Sequence, residues 1–332
     1  MSASEATLLQ ALDLVTVGGQ PSIEALSPVR RSHFTRLRTI VSGDNVVGVG
    51  ISEKLVEGKT TGEATVCFYV RKKLPPSQVT GESLVPQAIS LPGDKAVFTD
   101  VKEIGPLRLE ATVSKKAKPL QSGFSIGHPN ITAGTLGAIV KRAGKLYVLS
   151  NSHVLAESGL AKVGDSIVYP GAMDGGKLPA NLAASLSAFV PFDTSGGLVN
   201  RMDAAIAEIA AHRLGALNLA IHKASTPLGT IKAKRDMVVA KFGRTTGKTT
   251  GTIVDVNFRF TLNYPGVGSV GYIDQVLCTR YTDGGDSGSI VVDTASGKIV
   301  GLHFAGANGG SVFNPIRPVM KELGIRFVSP PP

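Results

Sequence analysis

Residues Gly285, Asp286, Ser287 and Gly288 form a Gly-Asp-Ser-Gly motif that leads directly into an apolar run. This pattern predicts a tight turn that places Ser287 at the entrance of a β-strand. With no side chains on the two glycines, the backbone N–H groups of Gly285 and Ser287 can point at one position. Two such groups form an oxyanion hole, which stabilises the charge that develops in acyl transfer. Ser287 is therefore a candidate nucleophile, although an ordinary glycine turn has the same residues.

A serine hydroxyl is a weak nucleophile and needs an adjacent base. His153 follows an apolar run at a predicted turn and is the candidate base. Asp203 leads into another apolar run and is the candidate carboxylate, with Asp193 and Asp174 as alternatives. Each of these residues alone also fits a turn, a cap or a hydrogen-bonded structural position. The order His153, Asp203, Ser287 within a β-rich region favours a catalytic triad.

The motifs around these residues resemble those of the trypsin/chymotrypsin-like serine peptidases over residues of about 120 to 320, with the same chain order of the triad. In that family the nucleophile lies in GDSG, the base ends an apolar strand in LTAAH, and the acid opens a D-[IA]-A-[LI] run. This sequence has GDSG, LSNSH and DAAI. The resemblance implies two six-stranded β-barrels with the triad between them, and a serine endopeptidase that acts on proteins or peptides without a cofactor or a metal.

The sequence departs from secreted members of this family in two places. Val154 stands where many of them have a cysteine, so a disulfide near the base is missing. In secreted trypsins a freed N-terminal amine pairs with the aspartate before the nucleophile, but no Arg-Ile-Val-Gly-type activation site is found here. The partner of Asp286 is therefore an open question.

The resemblance also implies which residues would contact a substrate. Tyr281 lies six residues before the nucleophile, where trypsin-type enzymes have the base of the S1 pocket. The wall of that pocket would be formed by Phe304, Ala305 and Gly306, which are apolar or small. An acidic pocket base is absent, so an uncharged P1 residue is expected.

The run KFGRTTGKTTGTI superficially resembles a phosphate-binding loop. The spacing between its glycines is one residue too short for that motif, and no helix is predicted after it. A strand–turn–strand element is the better interpretation. Together with the front segment NVVGVGISEK, this hairpin resembles a group of intracellular trypsin-like proteins of bacteria and of plants (the narrow-leaf type).

Three regions can be separated along the chain. Residues 1–43 are expected to hold a weak helix from Glu5 to Val15 followed by a basic, irregular segment. Residues 44–117 contain two long β-like runs and a further strand, which is typical of a small α+β unit. Residues 118–332 contain many short β runs separated by turn residues, and a helix or turn near the C-terminus. The predicted fold is mainly β: a chymotrypsin-like double β-barrel preceded by the small α+β unit.

Composition narrows the class of protein further. Glycine accounts for 39 of 332 residues without the period of a collagen, and no apolar run is long enough to span a bilayer. Cys67 and Cys278 lie in apolar runs and are expected to be buried free thiols. The N-terminus lacks the features of a secretory signal, so a cytoplasmic protein without membrane partners is expected.

Two other functions compete with the peptidase interpretation. The first is a non-catalytic scaffold or binding protein on a peptidase fold, with the N-terminal region as a candidate surface for homo-oligomer formation. The second is nucleic-acid binding, suggested by a net charge of +10. Because the basic runs are short and aromatic residues make up only 5% of the chain, a nucleic-acid partner is not expected.

Overall fold

A computed structural model describes residues 3–16, 23, 26–56, 59–93, 95–107, 119–221 and 229–328. The fold is mainly β, as predicted. The described residues before the gap at 108–118 are called the N-terminal unit, and those after it the C-terminal region. The predicted boundary between the two falls largely outside the described residues. No helix within the described ranges is long and apolar enough to cross a membrane.

The N-terminal unit packs two helices against a four-stranded portion of sheet. Its elements are α1 (Glu5–Val15), α2 (Pro28–Ser42), β1 (Val46–Val56), β2 (Lys59–Val70), β3 (Ala88–Ser90) and β4 (Ala96–Glu103). Helix α1 has the predicted bounds, and its first turn is capped by the Ser4 hydroxyl, which accepts a hydrogen bond from the backbone N–H of Thr7. The predicted strands of this unit are confirmed as β1, β2 and β4.

The prediction of an irregular segment after α1 was wrong, because residues 28–42 form helix α2. Pro28 occupies the first turn of the helix, where its missing N–H costs nothing. Only Phe34, Leu37 and Ile40 are buried on this helix. Their helical spacing provides a narrow apolar face, which the many basic residues around it concealed in the sequence.

The C-terminal region consists of strands of 2 to 18 residues, short helical turns and a closing helix. Its elements are β5 (Leu120–Ser122), β6 (Ser125–Ile126), β7 (Gly134–Thr135), β8 (Ala138–Arg142), β9 (Lys145–Ser150), α3 (Ser152–Leu155), β10 (Ser166–Val168), β11 (Leu182–Phe189), β12 (Leu198–Asn200), β13 (Ala205–Ile209), β14 (Leu217–Ile221), β15 (Val238–Gly243), β16 (Gly247–Tyr264), β17 (Gly268–Cys278), β18 (Ile290–Asp293), β19 (Ile299–Ala307), β20 (Gly310–Pro315), α4 (Ile316–Leu323) and β21 (Arg326–Phe327). Helix α4 confirms the helix expected near the C-terminus.

Two large sheets contain most of these strands, and two further sheets have two strands each, β14-β5 and β6-β7. One has six strands in the order β10-β11-β13-β9-β8-β21. The other has eleven strands in the order β12-β17-β20-β19-β18-β15-β16-β1-β2-β4-β3. The second sheet therefore continues from the C-terminal region into the N-terminal unit, through antiparallel pairing of β16 with β1.

A shared apolar core accompanies this shared sheet. Tyr69 and Cys67 of β2 belong to the same buried cluster as Phe258, Phe260 and Tyr272 of the long strands β16 and β17. Burying these large apolar surfaces together stabilises the attachment of the N-terminal unit to the rest of the molecule.

Both cysteines are buried free thiols, as predicted. Burial raises the pKa of Cys67 and of Cys278, because the thiolate would lose its hydration. Thiols held in the neutral form are poor nucleophiles, so these residues contribute packing and not reactivity.

The junction of the two parts also contains a buried carboxyl group with an unusual titration. Burial raises the pKa of Asp255 to about 6, even though the Asn257 backbone N–H and the Tyr69 hydroxyl donate hydrogen bonds to it. A carboxyl pKa that is higher in the folded than in the unfolded state stabilises the fold at low pH. This contribution is lost as pH rises from the unfolded value to the folded value.

We expect Asp255→Asn to remove this pH dependence. Relative to wild type, the variant should gain about 3 kcal/mol of unfolding free energy as pH rises from about 4 to about 6, with no further gain above that. Urea unfolding of both proteins at a series of pH values measures the difference. Parallel stability curves for the two proteins across this range would contradict the assignment.

Candidate active site

His153 and Asp203 are brought together by two adjacent strands of the six-stranded sheet. His153 lies in α3, just after β9, and Asp203 lies just before β13, which pairs antiparallel with β9. The Nδ1 atom of His153 is 2.5 Å from Oδ2 of Asp203. The backbone N–H of His153 also donates to Oδ1 of the same carboxylate, at 3.2 Å. Asp203 therefore holds both the ring and the backbone of the candidate base.

The two alternative carboxylates have other partners. Asp174 forms a buried bidentate ion pair with Arg244, at 2.7 and 2.8 Å. Asp193 accepts hydrogen bonds from the backbone N–H and the hydroxyl of Ser195 in an exposed turn. Of the three carboxylates considered in the sequence, Asp203 is the one that contacts His153.

Asp203 is held in place by residues that the sequence did not indicate. The Asn151 amide donates to its backbone carbonyl at 2.7 Å, and its backbone N–H donates to Oδ1 of Asn314 at 3.0 Å. The hydroxyl of Tyr264 donates to Oδ2 at 2.9 Å. Asn314 and Tyr264 come from β20 and the end of β16, far from Asp203 along the chain, so no local signal could have identified them.

Ser287 lies in a tight turn at the entrance of β18, as its motif predicts. Gly285 and Gly288 have φ angles of +92° and +94°. A Cβ atom on Gly288 would lie 2.1 Å from the Ser150 hydroxyl and 2.3 Å from the Thr135 carbonyl. Glycine is therefore required at position 288 both by the backbone conformation and by the space around it.

The backbone N–H groups of this turn fall into two sets. Those of Asp286 and Gly288 donate to the carbonyls of Asp283 and His303. Those of Gly285 and Ser287, both buried residues, donate to no acceptor among the described residues. Buried backbone N–H groups nearly always have a partner. Two such groups without an acceptor on one turn are therefore typical of a site that binds an anion.

The hydrogen bond between the candidate nucleophile and base is not formed. The hydroxyl of Ser287 donates to the carbonyl of Phe304 at 3.2 Å. Within the described part of the chain, Nε2 of His153 has no hydrogen-bond partner. The structure thus brings His153 and Asp203 into contact and leaves the Ser287 hydroxyl bonded to a backbone carbonyl.

Asp286 has an internal cationic partner, which answers the question left open by the sequence. The Nζ atom of Lys241 is 2.8 Å from Oδ2 of Asp286, and both side chains are fully buried. The backbone N–H groups of Thr245 and Thr246 donate to Oδ1, and the Thr246 hydroxyl donates to Oδ2. Burial alone would raise the pKa of Asp286, but the Lys241 ammonium and these hydrogen bonds outweigh it and lower that pKa.

The segment that holds Asp286 is the run that superficially resembled a phosphate-binding loop. Strands β15 and β16 pair from Val238↔Thr252 to Gly243↔Gly247, which confirms the predicted strand–turn–strand element. A Cβ atom on Gly243 would lie 2.2 Å from Oδ1 of Asp286, so glycine is needed for this close approach. The sequence signal for this contact was a lysine within the apolar run VVAKFG, which needs an anionic partner if it is buried.

The residues expected to contact substrate are all buried. Tyr281 and His303 have ring centroids 6.2 Å apart. The ring of Phe304 packs against Tyr272, at 5.1 Å, in the core that the two parts of the molecule share. The carbonyl of Phe304 faces Ser287, whereas its ring points away. A role for Phe304 in substrate binding would therefore depend on its backbone.

A cleft of about 300 Å³ adjoins the candidate base. It is lined by Asn130, Ile131, Thr132, Ala133, His153, Val154, Glu157, Ser158, Leu160 and Pro265. Apart from His153, none of these residues was identified from the sequence. Leu160 is 55% exposed, so the cleft presents apolar surface beside the candidate base. Among the described residues, no group of three or more histidine, cysteine, aspartate or glutamate side chains is placed to hold a metal ion.

Comparison with known proteins identifies the family. Residues 121–302, more than half of the chain, match the family model described as trypsin-like peptidase domain. The chain therefore belongs to the trypsin-like peptidase family. This confirms the resemblance and the predicted fold class, a mainly β chymotrypsin-like fold with a small α+β unit before it.

Solved structures to which the chain is similar include two proteases. Thermobifida fusca protease A is 18% identical, with a TM-score of 0.46 over 64% of this chain and 100% of that one. Cellulomonas bogoriensis chymotrypsin is 17% identical, with a TM-score of 0.43 over the same shares. The family assignment rests on the match to the family model. No curated protein matches the chain.

Proposed function

We propose that the protein is a serine endopeptidase that cleaves protein or peptide substrates. Ser287 attacks the scissile carbonyl carbon while Nε2 of His153 takes the hydroxyl proton. The N–H groups of Gly285 and Ser287 hold the oxyanion of the tetrahedral intermediate. His153 then passes the proton to the leaving amine, and water cleaves the acyl-enzyme in the same manner. Asp203 accepts the Nδ1–H of His153 throughout and stabilises the imidazolium ion.

The observation that carries this proposal is on the turn of Ser287: the N–H groups of two buried residues, Gly285 and Ser287, have no acceptor among the residues that the structure describes. A fold without an anion to bind would be more stable if these groups were paired, because an unsatisfied buried donor costs about 1–3 kcal/mol. The buried contact between His153 and Asp203 is the second support, because it directs the free Nε2 away from the carboxylate.

One observation favours the second candidate, a non-catalytic scaffold on the same fold. The Ser287 hydroxyl is bonded to the Phe304 carbonyl and not to His153. In the proposed peptidase, this hydroxyl turns towards His153 when a substrate binds. Catalytic hydrogen bonds of this kind are often absent without substrate and form in the Michaelis complex.

The substrate proposal follows from the residue at the candidate pocket base. Tyr281 is only 5% exposed and carries no charge at neutral pH, so it provides no counter-ion for a lysine or arginine side chain. An uncharged P1 residue is therefore favoured, since burying an unpaired substrate cation is costly. Profiling cleavage sites in a digested proteome would test this preference.

Labelling with a fluorophosphonate probe tests the proposed function. We expect the wild-type protein to form a covalent adduct on Ser287, because the probe requires an activated serine and an oxyanion hole. Ser287→Ala should abolish the adduct and all cleavage of a fluorescently labelled casein.

The matched control is Ser195→Ala, which removes an exposed hydroxyl that lies outside the candidate site. This variant should be labelled at the wild-type rate. If folded wild-type protein forms no adduct and cleaves no protein, the scaffold function is the correct one.

A further inference from the structure

The carboxylate of Asp203 has a hydroxyl neighbour that the proposed mechanism does not use. Tyr264, the last residue of β16, donates from its hydroxyl to Oδ2 of Asp203 at 2.9 Å. This is the same oxygen that lies 2.5 Å from Nδ1 of His153. Both Asp203 and Tyr264 are almost completely buried, so water does not compete for the carboxylate.

We propose that Tyr264 is a positioning residue for the peptidase reaction: its hydroxyl fixes the Asp203 carboxylate, and through it the ring of His153. This inference rests on the proposed function of the His153, Asp203 and Ser287 site. Asp203 has two points of attachment to His153, the ring and the backbone N–H. The Tyr264 hydroxyl adds a third contact from a different part of the fold, which prevents the carboxylate from rotating.

A second tyrosine orients the first. The hydroxyl oxygens of Tyr264 and Tyr272 are 2.7 Å apart. Because the proton of Tyr264 points at the Asp203 carboxylate, Tyr272 is the donor in this contact. Burial, and then the charge of Asp203, raise the pKa of both tyrosines well above the usual value. Both hydroxyls therefore keep their protons at neutral pH, and the hydrogen bonds run in one direction, from Tyr272 to Tyr264 to Asp203.

The strand that carries Tyr264 is held by the N-terminal unit. In β16, Phe260 and Arg259 pair with Gly48 and Val49 of β1. The guanidinium of Arg259 also bonds to the carboxylate of Asp13, at 2.6 Å. The strand that ends at Tyr264 is thus paired with a part of the chain outside the family match.

The end of the same strand also reaches the cleft beside His153. Pro265 follows Tyr264 directly and lines that cleft. The ring of Tyr264 packs against Phe192, with centroids 4.7 Å apart, and lies 6.2 Å from the ring of His153. These ring contacts do not need the hydroxyl, so a phenylalanine at position 264 would keep the packing and lose only the hydrogen bond.

Removing the hydroxyl has a definite chemical consequence. The hydrogen bond draws negative charge of the Asp203 carboxylate towards Tyr264. Without it, more of that charge faces the Nδ1–H of His153, and the hydrogen bond between them changes in strength. Because the carboxylate then keeps only its two contacts with His153 and is less firmly oriented, the rate should fall roughly ten- to a hundredfold, as expected for a lost hydrogen bond to a charge.

The experiment compares Tyr264→Phe with Tyr69→Phe in the full chain. Tyr69 is a matched control, because its buried hydroxyl donates at 3.0 Å to another buried carboxylate, that of Asp255, in the same sheet. The second-order rate constant of fluorophosphonate labelling is measured for wild type and both variants between pH 5 and 9. The proton signal of the His153 Nδ1–H is recorded by NMR for the same three proteins.

We expect only Tyr264→Phe to lower the labelling rate and to shift the Nδ1–H signal. If wild type is labelled and the two variants behave alike in both measurements, Tyr264 has only a structural role and the inference is wrong. If wild type is not labelled, the proposed function fails. The NMR comparison still decides whether Tyr264 positions the pair of His153 and Asp203.

Discussion

Replacing Lys241 with methionine is expected to destabilise the protein by about 3–5 kcal/mol, because the change leaves the Asp286 carboxylate buried without a cation. Asp286 lies inside the turn that carries Gly285 and Ser287. A shift of that turn displaces the N–H groups proposed for the oxyanion hole, and losing one such donor lowers the rate on the order of 10²-fold. Urea unfolding and the rate of fluorophosphonate labelling measure the two effects.

The stability of Lys241→Met is expected to depend on pH differently from that of wild type. In wild type the pKa of Asp286 is lowered, so its contribution to stability is present at neutral pH and is lost as pH falls below about 4. In Lys241→Met, burial without the cation raises the pKa of Asp286 above the unfolded value. The variant should therefore recover stability as pH falls through that raised pKa, the opposite of the wild-type trend for this group.

Two further variants separate the ion pair from the loss of packing. The double variant Lys241→Met/Asp286→Asn removes both charges and should regain part of the stability that the single change loses. Lys298→Met replaces an exposed lysine and should behave like wild type. Asp286→Asn alone completes the comparison. If the double variant is as unstable as the sum of the losses in Lys241→Met and Asp286→Asn, the ion pair is not the source of the effect.

The structure shows which parts of the site the sequence could predict. The motifs around Ser287, His153 and Asp203 are local, because each consists of one reactive side chain and the adjoining turn or strand. The partners of these residues are not local. Lys241 and Tyr264 lie on strands whose pairing brings distant segments together, and Tyr264 is 61 residues from Asp203. No short pattern in the sequence records such contacts.

For the fold, too, the sequence predicted individual elements but not how the strands pair. The apolar runs of β1, β2 and β4 and the helical pattern of α1 identified those elements. Helix α2 was missed, because only three of its residues are buried and its charges dominate the segment. The continuous eleven-stranded sheet could not be anticipated, because strand order depends on tertiary pairing. That pairing joins the N-terminal unit to β16, the strand that ends at Tyr264.

Replacing Asp203 with asparagine is expected to lower the rate of labelling and of proteolysis by about 10⁴-fold with the fold intact. In wild type, Oδ2 accepts the Nδ1–H of His153, which leaves Nε2 unprotonated and able to receive the Ser287 proton. An amide nitrogen at the position of Oδ2 would donate to Nδ1 instead. The ring proton would then move to Nε2, where it blocks the transfer.

The geometry around position 203 decides which way the amide points. The backbone N–H of His153 donates to Oδ1 of Asp203 at 3.2 Å. If the amide of the variant turned its nitrogen to that side, two donors would face each other. The Tyr264 hydroxyl, which donates to Oδ2 in wild type, can rotate and accept from an amide nitrogen, whereas the backbone N–H cannot. The variant oxygen therefore stays with the backbone N–H, and its nitrogen faces the ring, which is the inactive orientation.

Asp193→Asn is the matched control, since it makes the same change in the exposed carboxylate that was the alternative acid in the sequence. It should retain full activity. In Asp203→Asn, the NMR signal of the His153 Nδ1–H should disappear, because the proton has moved to Nε2. Retained activity together with an unchanged signal would show that Asp203 does not set the tautomer of His153. The proposed triad would then lose its acid, because Asp174 is committed to Arg244 and cannot replace it.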